Sequence, residues 1–290
     1  IRRTLPSQES IPPAARLPPA SPRLLEDQRE ASQPGVLIGP AGSGGRGNLK
    51  GVAEVAHLGL DCMEVEFTYG VRMQPDMAEA VGALADERGV LLSVHAPYYI
   101  NLAAYEEDKV AASRQRILDS CQRAHLMGAR NVVFHAGFYQ KRSARETYRL
   151  IRAQIVDLQA QIRQAAWNVV LCPEITGKPS QFGALEELRE LGADTGCGLT
   201  VDFAHLYARQ QGIIDYDALM PSLPQRLHAH FSGIEYTAKG EKKHIRLQPS
   251  DFQPLLAALV RHRKRVTIIC ESPKPFEDAI MMKEMAGKVT

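Results

Sequence analysis

The chain lacks the marks of several protein classes. Its five cysteines, Cys62, Cys121, Cys172, Cys197 and Cys270, include no CxxC pair. They read as buried, reduced thiols of a cytosolic protein. No apolar run approaches the roughly 18 residues that a membrane-spanning helix needs, so no membrane partner is expected. Neither charge sign dominates: 35 Lys and Arg stand against 33 Asp and Glu, a net charge of +2. That balance alone predicts neither a nucleic-acid nor a membrane partner. Residues 1–34 lack any helical or strand period and any apolar core of the signal-peptide type. With seven prolines and scattered arginines, they read as a disordered Pro/Arg-rich leader.

From residue 35 to 290, short apolar β-rich runs alternate with amphipathic stretches. Expected strands are 36–40, 62–67, 90–95, 131–135, 168–174, 198–203, 226–232 and 265–271. Helices are expected near 49–58, 75–88, 108–127, 143–166, 181–191, 252–263 and 275–287, with a weaker link after the sixth strand. Leu150, Ile151, Ile155, Leu158 and Ile162 recur at helical steps and define one apolar face. Gly59, Gly89 and Gly128 fall where helices should end. Eight alternating strands favour a single-domain α/β TIM barrel over a doubly wound open sheet.

Polar residues with metal-ligating groups cluster at the ends of these runs. They are His95, His135, Glu174, Asp202, His205, His230, His244 and Glu271. A barrel gathers the carboxyl ends of its strands on one rim, whereas an open sheet spreads them along an edge. Histidine nitrogen and carboxylate oxygen suit zinc, manganese and iron alike. A lone histidine at a strand end is commonly an ordinary hydrogen-bonded residue. Eight such groups at matched ends point instead to a metal centre, because a cation offsets the cost of burying carboxylates. His57, His125, His228 and His262 read as structural.

The segments SVHAPYYINLA, NVVFHAG, PEITGK, VDFAHLYA, HAHFSG, KKHIRL and ICESP, in this order, resemble endonuclease IV. This is the AP-endonuclease family 2 of the xylose isomerase-like TIM barrels. The resemblance implies a zinc-dependent endonuclease that cleaves duplex DNA on the 5′ side of abasic sites, in base-excision repair. It implies His95, His135 and Glu174 on one zinc, with Glu174 bridging to a second held by Asp202, His230 and Glu271. His205 and His244 would hold a third, and Tyr98 would meet the lesion. Glu174 and Glu271 are the expected catalytic residues. Mn2+ or Fe2+ could replace Zn2+.

Two departures from the family pattern stand out. An aspartate expected two residues before the last histidine is Lys242 here, and a segment usually reading HLND is HFSG. Loss of that carboxylate should weaken the third metal position, and Lys242 should add an unfavourable charge there. Glu241 is the nearest substitute carboxylate.

The expected loops after the strands hold Arg72, Lys141, Arg142, Lys178, Arg209, Lys239, Lys242, Lys243, Arg246 and Lys274. Such cations suit a DNA backbone; Lys242 and Arg246 are the expected substrate contacts beside Tyr98. Tyr98, Tyr99, Phe138 and Tyr207 are candidate stacking groups. Two other readings remain open: a sugar isomerase or epimerase on the same barrel, and a non-catalytic DNA- or metal-binding relative. A cytoplasmic monomer is expected.

Overall fold

Twelve strands are seen in the computed structural model, which describes residues 35–289; the expected leader lies outside them. In chain order they begin with β1 (Val36–Pro40), β2 (Cys62–Glu66), β3 (Leu91–His95) and β4 (Asn131–Phe134). The two-residue β5 (Gly137–Phe138), β6 (Val170–Pro173), the two-residue β7 (Gln181–Phe182), β8 (Thr200–Asp202) and β9 (Arg226–Phe231) follow. The chain then makes β10 (Gly233–Thr237), β11 (Gly240–Ile245) and β12 (Arg265–Cys270).

Parallel pairing gives two four-stranded sheets, in the orders β1-β12-β9-β8 and β2-β3-β4-β6. Single parallel bridges, Ala41 to Glu64 and Glu174 to Thr200, join their free edges. The wall therefore closes as an eight-stranded TIM barrel. All five residues of β1 are buried, as expected for a strand covered on both faces.

The helices of the outer ring are α1 (Asn48–His57), α2 (Pro75–Arg88), α3 (Glu107–Met127), α4 (Ala144–Gln164) and α5 (Leu185–Thr195). After β8 come α6 (Phe203–Arg209), α7 (Tyr216–Leu219) and a single 3-10 turn, then α8 (Pro249–Arg261) and α9 (Pro275–Gly287). Helix α4 buries Ile151, Ile155, Leu158 and Ile162 of the expected stripe but leaves Leu150 exposed, and Ser143 caps it by accepting from Glu146 N at 3.2 Å. Gly89 and Gly128 end α2 and α3 at φ 70° and 71°, a left-handed conformation that costs glycine little. All five cysteines are buried and free.

Two expectations shift. The helix expected at 181–191 starts at Leu185, because Gln181 and Phe182 pair with β5 and the Glu187 carboxylate caps Gly183 N and Ala184 N. His244, expected at the end of a strand of the barrel, instead sits on β11 of an antiparallel hairpin outside the wall.

Candidate metal centre

Parallel register places the inner donors. His95 is the last residue of β3, Glu174 follows β6 and bridges to β8, and His230 lies on β9 opposite Asp202 of β8. Glu271 follows β12 and donates its N–H to Phe231 O at 3.1 Å. The expected groups meet around one carboxylate. Glu174 Oε2 lies 3.2 Å from His95 Nε2 and 2.9 Å from His135 Nε2. Glu174 Oε1 lies 3.1 Å from His230 Nδ1 and 3.4 Å from His205 Nδ1. Glu271 Oε1 is 3.2 Å from the same His230 nitrogen. Glu174 and His230 are almost completely buried.

The protonation pattern tests whether such residues fit a cation. His95 Nδ1 lies 2.8 Å from Ala96 O, which can only accept, so this nitrogen carries the ring's proton. A neutral ring then aims a lone pair at a carboxylate oxygen. Two acceptors 3.2 Å apart need a proton or a cation between them. Without a metal, a proton fills the role: burial opposes it, but Glu66 and Glu174 raise His95 to about 10. Likewise, burial alone would raise the Glu174 carboxyl, yet His135 and His230 outweigh it and hold it well below the carboxylate range. Glu271 behaves similarly at about 2, with His230 overcoming burial. Donor atoms on one tetrahedral zinc stand about 3.3 Å apart. The residues fit divalent ions at His95–His135–Glu174 and at Glu174–Asp202–His230–Glu271.

The outer donors are placed by different devices. His205 is in the first turn of α6, whose N-cap Asp202 accepts from His205 N at 2.8 Å. Its Nδ1 faces Ile175 O at 3.0 Å, so Nε2 is left for a ligand. That nitrogen is 3.2 Å from His244 Nε2, whose ring is braced by Ser232 Oγ at 2.8 Å from Nδ1. Thus Ser232, of the departing HFSG segment, supports a candidate ligand.

Lys242 does not intrude here. In the hairpin, Glu235 pairs with Lys243 and Tyr236 with Glu241, so Lys242 is the extra residue of a β-bulge. Lys242 and Lys243 both turn to Glu235. The side chain of Glu241 turns inward, with Oε2 3.5 Å from His205 Nε2. Gly177 leaves it room: a Cβ there would meet the Glu241 Cβ at 2.5 Å. The expected unfavourable charge is thereby corrected, because the bulge breaks the alternation that would have aimed residue 242 inward.

Sequence reasoning missed Glu64 and Glu66 and took His228 as structural. Ser93 and His95 lie opposite Glu64 and Glu66, respectively, in the β2–β3 register. The fully buried Met63 and Val65 alternate with them. Two acids at alternate positions of an otherwise apolar strand were the readable signal. Glu64 Oε2 lies 2.9 Å from His228 Nε2. Burial raises the Glu66 carboxyl to about 8 against the pull of His95.

On the rim, Tyr69, Tyr98 and Tyr99 are 71%, 56% and 62% exposed, and the Tyr98 ring stands 6.1 Å from that of His95. Phe138 and Tyr105 are exposed too. Tyr207 leaves this set: it packs edge-on against Tyr236 in a separate cavity of about 430 Å3. Arg72, Lys141, Lys178, Lys239 and Lys274 are exposed. Arg209 binds the carbonyls of Thr176, Lys178 and Gln181, and Arg246 is paired with buried Asp278.

Residues 52–286 match the xylose isomerase-like TIM barrel family. The chain belongs to this family. An uncharacterized protein of Methanocaldococcus jannaschii is 37% identical over 248 residues, 81% of this chain and 90% of that protein. A probable endonuclease 4 of Mycobacterium bovis is 23% identical over 200 residues, 67% of this chain and 78% of the relative. Among solved structures, endonuclease IV from Thermus thermophilus superposes with TM-score 0.64 at 21% identity, covering 88% of this chain and 98% of that one. A D-tagatose 3-epimerase-like protein gives TM-score 0.68 at 17% identity, covering 87% and 96%. At such identities these two structures support the fold alone.

Proposed function

We propose that the chain is a metal-dependent endonuclease that hydrolyses the phosphodiester 5′ to abasic sites in duplex DNA. The observation that carries this reading is the double contact of Glu174, with His95 and His135 on one oxygen and His230 on the other. A carboxylate so placed suits a bridge between two ions. The mycobacterial relative, named a probable endonuclease 4, adds weight.

His95, His135 and Glu174 would hold one ion; Glu174, Asp202, His230 and Glu271 a second. His205, His244 and Glu241 would hold a third, with Glu241 in place of the missing aspartate. Zinc suits this set, and manganese or iron could substitute. Divalent ions, when bound, supply Lewis acidity to a phosphate and lower the pKa of water. Glu174 and Glu271 keep the centre anionic and ionised at neutral pH. Tyr98, next to the centre, stacks at the lesion with Tyr69 and Tyr99, and the exposed rim cations meet phosphates. Lys242, Lys243 and Arg246 contribute charge only from the outer edge. No helix among the described residues is long and apolar enough to cross a membrane.

A second reading, a sugar isomerase or epimerase, would use one ion, such as one held by Glu174, Asp202, His230 and Glu271. It leaves the convergence of His95, His135, His205 and His244 without a task. Metal analysis together with cleavage of a duplex carrying one abasic site separates the two. Cleavage lost in H135A and E271A supports the endonuclease. Bound metal without cleavage, with turnover of a keto-sugar, favours the isomerase; duplex binding without either turnover favours a non-catalytic relative.

A further inference from the structure

Beneath the metal centre lies a carboxylate that none of the expected ligand sets uses. Glu64 is fully buried in the lumen. Its Oε2 accepts from Ser93 Oγ at 2.7 Å and lies 2.9 Å from His228 Nε2. Its Oε1 lies 2.9 Å from His230 Nε2, off the axis of an aligned N–H bond. The opposite nitrogen of that ring, Nδ1, faces Glu174 and Glu271 at 3.1 and 3.2 Å. His230 thus stands between Glu64 below and the centre above.

We propose that Glu64 is a positioning residue that fixes the tautomer of His230, keeping the proton on Nε2 so that Nδ1 faces the metal. The proposal rests on the metal reading above. A neutral imidazole has one proton and two nitrogens, and the acceptor behind the ring decides which nitrogen is left to bind. Here Glu64 is that acceptor. Ser93 and His228 grip its other oxygen, which holds the carboxylate behind the ring. His95 and His205 are arranged in the opposite sense: their Nδ1 atoms face the carbonyls of Ala96 and Ile175, which leaves Nε2 to bind. The other inner histidine, His135, also presents Nε2 to Glu174. His230 is therefore the single inner ligand expected to bind through Nδ1.

This asymmetry gives a test that can be read with Glu64 intact. A long-range 1H–15N spectrum of the zinc-loaded, 15N-histidine-labelled full chain should show a ring with Nε2–H and a metal-shifted Nδ1, assigned by its loss in H230Q. E64Q should weaken zinc binding about 10–100-fold and move that signal, as expected when a partner behind a ligand is altered. E64D, which keeps the charge but withdraws it, should weaken binding less. Ligation of His230 through Nε2 overturns the proposal, and so does E64Q with wild-type zinc affinity and an unmoved signal. If E64Q fails to fold, E64D carries the comparison, and the wild-type spectrum still tests the tautomer. Absence of any metal-shifted nitrogen in the wild-type chain overturns the metal reading itself, a result distinct from zinc bound with the other tautomer.

Discussion

The inner and outer halves of the candidate metal centre are built by different means. The inner donors His95, His135, Glu174, His230 and Glu271 end or directly follow barrel strands, and parallel register fixes their relative heights. The outer donors His205, His244 and Glu241 come from a helix turn and from a hairpin outside the barrel. The inner half is backed by buried groups such as Glu64, whereas the hairpin residues flanking His244 are mostly exposed. A barrel can vary such an appended hairpin without disturbing its wall. One extra residue there sets which side chain faces inward.

The inner half offers the largest effect. Glu174 touches histidines of both halves, so E174Q should remove more than one ion and lower abasic-site cleavage on the order of a thousandfold or more. Metal content by mass spectrometry and single-turnover cleavage are the measurements. A Gln variant with full cleavage and full metal content would remove Glu174 from the centre.

A smaller effect should separate the halves. E241Q should lose one ion, or bind it at least about tenfold more weakly, while the inner ions stay. K242A should leave metal content unchanged, because Lys242 turns to Glu235. If K242A alters metal content and E241Q does not, the bulge does not set the ligand as proposed.

The same contrast explains what the sequence made legible. The barrel could be read because each strand is a short apolar run and each helix keeps its own period. The inner donors could be read because strand ends converge in that fold. The hairpin could not: in EKKHIRL the strand residues before Ile245 are all polar, and the alternation of Ile234 and Tyr236 in β10 is too short to mark a strand by itself. The bulge at Lys242 depends on cross-strand register, which no local spacing encodes. Glu64 and Glu66 were readable but were passed over, because two acids in MEVEF resemble a solvent-facing alternation until a closed barrel puts that face in the lumen. Arg246 had the right charge and region for a phosphate contact, but its partner Asp278 lies 32 residues away on α9.

That last pair gives the smallest expected effect. Asp278 is 1% exposed and accepts from Arg246 Nε at 2.7 Å and from Leu247 N at 3.0 Å. It ties the exit of the hairpin to α9. Burial alone would raise its carboxyl, but Arg246 and the Leu247 amide hold it below the ordinary value. A depressed folded-state value stabilises the protein fully above the unfolded value of about 3.9, and this stabilisation is lost as pH falls through the lower folded value. D278N should therefore cost about 1–2 kcal/mol at neutral pH, measured by thermal unfolding of the metal-free chain. The Arg246 share is small because its side chain is half exposed. The difference between wild type and D278N should shrink as the carboxyl becomes protonated. D278N should also loosen the outer ion more than the inner ones, since its contacts lie just beyond His244. Equal weakening of inner and outer ions would mean that the barrel and the hairpin do not hold their ligands independently.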